Sequence, residues 1–128
     1  MFGPRLSVTR SMCSDKVIAA LIDIRDNIAL AQTFVAEIDL PAFQQSRMRV
    51  YASARALEII SEASRRLPQE LQGRHAHLPW RAIRDTGNFY RHQYDNVLES
   101  YVWTTIHDDL PTLLVAVEAE LRALGELP

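Results

Sequence analysis

KVIAALIDIRDNIALAQTFVAEI, residues 16–38, sets Val17, Leu21, Ile24, Ile28, Ala31, Val35 and Ile38 at steps of three and four. Side chains three or four apart share one side of an α-helix, so this spacing predicts a helix with one apolar stripe that must be buried against a partner. No segment alternates apolar and polar residues for long enough to predict a strand. The chain is therefore expected to be all-α, an antiparallel helical bundle in which each stripe covers its neighbours.

On the N-terminal side, residues 1–13 contain Gly3 and Pro4, lack periodicity and precede the cap-like pair Ser14-Asp15, which predicts a disordered tail followed by one domain over 14–128. Beyond Ile38, Asp39-Leu40-Pro41 supplies a cap and an early-turn proline, and the apolar run from Phe43 to Leu67 predicts a long second helix ending at Pro68. Residues 68–79, with Gly73, His75 and His77, read as a loop exposed to water, with room for a short helical turn. A third helix is expected from Pro79 to about His92. Two further helical patterns cover 97–107 and 109–124, the second with Asp109 as cap and Pro111 in its first turn.

With 128 residues, 48% hydrophobic and 23% charged, the chain has the composition of one globular domain. No apolar run approaches the roughly 20 residues needed to cross a bilayer, and the first dozen residues lack the apolar stretch of a secretory signal, so a cytoplasmic protein with no membrane partner is expected. Cys13 is the single cysteine, which rules out an internal disulfide and a CxxC zinc site. His75 and His77 have no accompanying cluster of ligands, so a metal site there is weakly supported.

The formal net charge of -2 is unevenly spread. Residues 65–92 hold six arginines against two acids, whereas from Gln93 onward seven acids face Arg122 alone. A local positive region on a slightly acidic chain suits a polyanion, although a solvated arginine face accounts for the same composition.

On a helical wheel the third helix splits in two. Trp80, Ile83, Gly87 and Tyr90 fall on one side, joined by Tyr94 if the helix extends that far; Arg81, Arg84, Asn88, Arg91 and His92 fall on the other, with Asp85 at the margin. Histidine, with a reference pKa of about 6.5, can take or return a proton near neutral pH, and arginine offers a fixed cation with paired donors for phosphate oxygens. That combination fits metal-independent cleavage of RNA by its own 2′-OH. A lone histidine makes one proton transfer at a time, so two copies meeting across a symmetric dimer would complete the set. A histidine on the wet side of a charged helix, without catalysis, is the competing reading.

Three separated blocks, ARALEIISEASRRLP (54–68), HLPWRAIRDTGNFYRHQYD (77–95) and VWTTIHDDLPTL (102–113), together with DKVIAALIDIRDNI (15–28), resemble the HepT-like group of HEPN domains, the toxin halves of prokaryotic toxin–antitoxin pairs. The resemblance implies the all-helical HEPN fold, a homodimer, and a metal-independent endoribonuclease needing no cofactor, with its site at the dimer cleft. The family hallmark is an arginine, a polar residue, three variable positions, a histidine, one residue and a tyrosine. His92 matches the histidine, Asn88 the polar position and Tyr94 the tyrosine, whereas Gly87 stands where the family has arginine. Arg84 and Arg91 are the candidate substitutes, with Arg81 as a further contact to the RNA backbone. The resemblance also implies a partner, a minimal nucleotidyltransferase antitoxin that places AMP on Tyr94. The alternative implied by Gly87 is a catalytically impaired HEPN module that survives as the dimeric partner of such an enzyme.

Overall fold

A computed structural model of the protein describes residues 12–86 and 95–127, and every regular element among them is helical. The elements are α1 (Met12–Val35), α2 (Leu40–Gln45), α3 (Arg47–Arg65), α4 (Gln69–Arg74), α5 (Trp80–Asp85), α6 (Asp95–Thr104), a π turn (Thr105–Asp109) and α7 (Leu110–Ala123). None is long and apolar enough to cross a membrane.

The expected stripe of α1 is the spine of the core. Leu21, Ile24, Ile28 and Ala31 are fully buried, and the helix lies along α3 and, less extensively, α7. Leu57 and Ile60 on α3 and Leu113, Val117 and Leu121 on α7 close over it. Each such aliphatic side chain contributes roughly 1.5–3 kcal/mol by leaving water. After α1 the chain reverses through Glu37, whose φ of 62° lies in the left-handed region that L side chains disfavour.

The second helix differs from its expected form, since it breaks at Ser46. Asp39 caps α2, its Oδ1 accepting from the Ala42 amide at 3.0 Å, with Pro41 in the first turn as expected. Ser46 is extended and starts α3, its Oγ accepting from the Arg49 amide at 3.2 Å. Serine competes well at such a position because its hydroxyl replaces a missing helical acceptor. The break lets α2 turn toward α6, where Phe43, fully buried, packs on Trp103 with ring centroids 5.4 Å apart.

The C-terminal region departs from expectation in the opposite direction. In place of two separate helices there is one rod, with α6 and α7 fused through the π turn. Pro111 explains the change of register: it has no N–H to return to the preceding turn, and the Leu110 amide reaches five residues back to the Thr105 carbonyl. Asp109 occupies the cap position of α7 but makes no capping hydrogen bond, because the backbone is already helical on both sides of it.

Candidate functional site

The expected loop over 68–79 contains α4, and α5 is fastened to it. Trp80 is buried, and its indole N–H donates to the carbonyls of Gln72 and His75, each at 3.0 Å. Buried tryptophan needs such an acceptor, so the ring fixes where α5 begins. The other end of α5 is held by α3: the Arg84 carbonyl accepts from Ser61 Oγ at 2.5 Å and from Arg65 Nη2 at 2.7 Å. Side chains from α3 satisfy that carbonyl.

The described part of the third helix runs from Trp80 to Asp85, with Thr86 as its C-terminal cap. Gly87, Asn88, Tyr90, Arg91, His92 and Tyr94 lie outside the described residues. Of the candidate site residues, Arg81 and Arg84 are described. Trp80 faces the core and Ile83 packs partly against it, while Arg81 is exposed, as the wheel predicts. Arg84 is half-buried, and its guanidinium turns toward α4, donating from Nη1 to Gln72 Oε1 at 2.8 Å.

The arginine-rich stretch divides by what each cation meets. Arg66 pairs with Asp23 at 2.9 Å, and Arg74 pairs with Glu120 at 2.8 Å and with Glu70 at 3.3 Å. Those charges are met by carboxylates of the same chain. Among the described residues no carboxylate pairs with Arg65, Arg81 or Arg84, so the uncompensated positive charge gathers around α5. Arg65 was not singled out from the sequence because it belongs to another helix, 19 positions earlier, and its place beside Arg84 is a tertiary contact.

His75 corrects the picture of a water-exposed loop. Its side chain is 15% exposed, and Nε2 lies 2.7 Å from Glu120 Oε2. Glu120 is itself 7% exposed and also accepts from Arg74 Nε at 3.1 Å. The Arg74 hydrogen bond chiefly, helped by His75, holds the Glu120 carboxyl below its usual range against the opposing effect of burial, and the same contact raises Arg74. His77 remains exposed. No group of three or more metal-ligating side chains occurs among the described residues.

Behind α5 lies a cavity of about 260 Å³, walled by Leu57 and Ile60 of α3, Ile83 and Thr86 of α5, and Asp108 and Asp109 of the π turn. Burial, and next the neighbouring Asp108, push the Asp109 carboxyl above its ordinary value.

The HepT-like family model, described as ribonuclease HepT-like, matches residues 24–120. A probable ribonuclease HepT of Thermococcus cleftensis is 34% identical over 93 residues, covering 73% of this chain and 84% of that protein. A candidate RNase of Methanocaldococcus jannaschii, MJ1380, is 31% identical over 107 residues, 84% of this chain and 98% of the relative. A candidate RNase of Caldanaerobacter subterraneus is 33% identical over 85 residues, 66% of this chain and 76% of its own. No solved structure matches the chain. With an all-helical fold, a cationic helix end leading into the His92 segment and a family match across most of its length, the chain belongs to the HepT-like ribonuclease family.

Proposed function

We propose that this protein is a metal-independent endoribonuclease, the toxin of a toxin–antitoxin pair, acting as a homodimer. In this reading His92 takes the proton of a 2′-OH as that oxygen bonds to the adjacent phosphorus. The phosphorus–O5′ bond breaks, and the leaving oxygen receives its proton from the His92 of the second copy, producing a 2′,3′-cyclic phosphate and a 5′-OH. Asn88 orients phosphate or imidazole, Arg84 and Arg91 take the role left open by Gly87, and Arg81 holds the RNA backbone.

The observation that carries the reading is α5. It is bolted at its start by Trp80 and near its end by Ser61 and Arg65, and it carries Arg81 and Arg84, which have no acidic partner among the described residues, on the turns leading to Thr86. Fixed cations beside a reacting phosphate stabilise developing charge without reorganising. The exposed side chains of Met48 and Tyr51 on the first turns of α3, with Leu98 of α6 beside Tyr51, support an apolar surface on which a second copy packs. A nucleotidyltransferase that places AMP on Tyr94 would add negative charge two residues from His92 and repel RNA.

The test is cleavage of a labelled RNA by the purified full-length protein in EDTA. His92→Ala is expected to lose about 100-fold or more in rate. Equal rates for the two proteins would remove His92 from the chemistry. Gly87 favours the second reading, a non-cleaving dimeric partner of a nucleotidyltransferase, which predicts no cutting by either protein together with tight binding to that enzyme. Mass spectrometry of Tyr94 after incubation with the partner and ATP reads the modification directly.

A further inference from the structure

The cavity behind α5 has walls and a mouth of different chemistry. Leu57, Ile60 and Leu113 form a buried aliphatic floor, and Ile83 of α5 makes a side. At the mouth stand the Asp108 and Asp109 carboxylates and Tyr101, which is 41% exposed. Ligand clefts for drug-sized molecules run to roughly 300–1,000 Å³, so a space of about 260 Å³ suits something smaller, the size of a single flat ring system.

We propose that this cavity receives one unpaired base of the RNA and selects guanine, with Asp109 as the specificity-determining residue. The proposal rests on the ribonuclease reading for its substrate class and adds which nucleotide the protein seats.

The chemistry at the mouth favours that base over the others. An ionised carboxylate only accepts hydrogen bonds. On its Watson–Crick edge guanine offers two adjacent donors, N1–H and the N2 amino group, which can meet the two oxygens of one carboxylate. Adenine and cytosine offer one amino group beside an acceptor that would face an oxygen. Uracil offers one N–H flanked by two carbonyls, which repel the carboxylate from both sides. Single-stranded RNA is read in this manner, by splayed bases stacked on aromatic rings and bonded along their edges.

Asp109 is in the state such a partner would relieve. It stands at the head of α7 without capping it, and the π turn, a feature common at functional sites, holds Asp108 and Asp109 at the mouth. Its partly desolvated carboxylate therefore lacks the amide donors an ordinary cap aspartate would accept from. The placement along α5 is consistent as well: Ala82, Ile83 and Thr86 line the cavity, while Arg81 and Arg84 occupy the opposite side of the same helix. A strand whose phosphates follow the arginines can turn one base past the end of α5, beside Thr86, into the cavity.

The experiment titrates the full-length protein with GMP, AMP, CMP, UMP and arginine amide separately, by calorimetry or nuclear magnetic resonance, and maps cleavage positions on a mixed-sequence RNA. GMP is expected to bind about tenfold or more tightly than the other nucleotides, and Asp109→Asn, which turns an amide donor toward guanine's donors, should erase that preference. Tyr101→Ala should weaken all four nucleotides together, about fivefold or more, because stacking tolerates any base. Asp109 makes no cap hydrogen bond, so Asp109→Asn is expected to stay folded, which an unchanged circular-dichroism spectrum and a cooperative melt at or slightly above the wild-type temperature establish. No GMP preference in the wild type, an unaltered preference in folded Asp109→Asn, or binding of arginine amide in place of GMP, which would point to a basic peptide, each overturns the proposal. GMP selectivity without RNA cleavage sinks the ribonuclease reading and leaves the guanine site standing. Cleavage without GMP selectivity does the reverse.

Discussion

Glu120 and Asp109 are carboxylates on the same C-terminal rod, and their surroundings drive them in opposite directions. Glu120 is buried, yet two donors from Arg74 and the His75 ring surround it, and its ionised form is favoured. Asp109 is less enclosed but has no cap bond, sits beside Asp108, and its ionised form is disfavoured. Burial alone does not separate a structural charge from one available to a ligand. What separates them is whether the desolvation cost has already been offset by partners inside the fold.

The sharpest way to break the contrast is to remove the satisfied member. Glu120→Ala leaves Arg74 and His75 facing each other without their shared anion, and is expected to destabilise the protein by about 3 kcal/mol, at the low end for a buried pair. The low end applies because the Arg74 side chain is still 50% exposed. Urea denaturation measures the loss, and a change below about 1 kcal/mol would show that the cluster holds nothing together.

Acid titration should give the two carboxylates opposite slopes. The lowered pKa of Glu120 means that its contribution is present above its ordinary value of 4.5 and is lost as the pH falls through the folded value. Glu120→Gln should accordingly flatten the acid limb of the stability curve. For Asp109 the pKa is raised, so ionisation counts against the fold and stability is lost as pH rises above 3.8 through the folded value. Wild type should fall relative to Asp109→Asn over that interval. Parallel curves for the two variants would erase the distinction.

At neutral pH Asp109→Asn should change stability by no more than about 0.5 kcal/mol, with a gain more consistent with the missing cap than a loss. A loss near 1 kcal/mol, the usual cost of deleting a cap, would mean that the aspartate supports the helix after all. The smallest effect belongs to an exposed control. Arg66→Ala breaks the pair with Asp23 on the surface and should cost about 0.5 kcal/mol or less, declining further in high salt.

Legibility followed the range of the interaction. The stripe of α1, the Asp39 cap with Pro41, and the inward placement of Trp80 and Ile83 could be read from the sequence because each depends on neighbours within a turn or two. The break at Ser46 was missed although serine marks it, since apolar periodicity continued across the break and the reorientation is driven by Phe43 reaching Trp103. Asp109 was read as a cap because aspartate before a proline usually is one; the fused rod removed the need. The arginine count overstated the free positive charge, because a count cannot register that Arg74 meets a carboxylate 46 residues away.

By itself the sequence determined an all-helical chain, the family to which it belongs, and a cationic helix running toward His92, because periodicity and motif spacing are properties of consecutive residues. Only the tertiary structure decided which arginines are neutralised, that Ser61 and Arg65 hold the end of α5, and that an aliphatic cavity opens beneath two aspartates. Those features arise where distant segments pack together, and whether a charge is satisfied depends on what the fold brings within hydrogen-bonding reach.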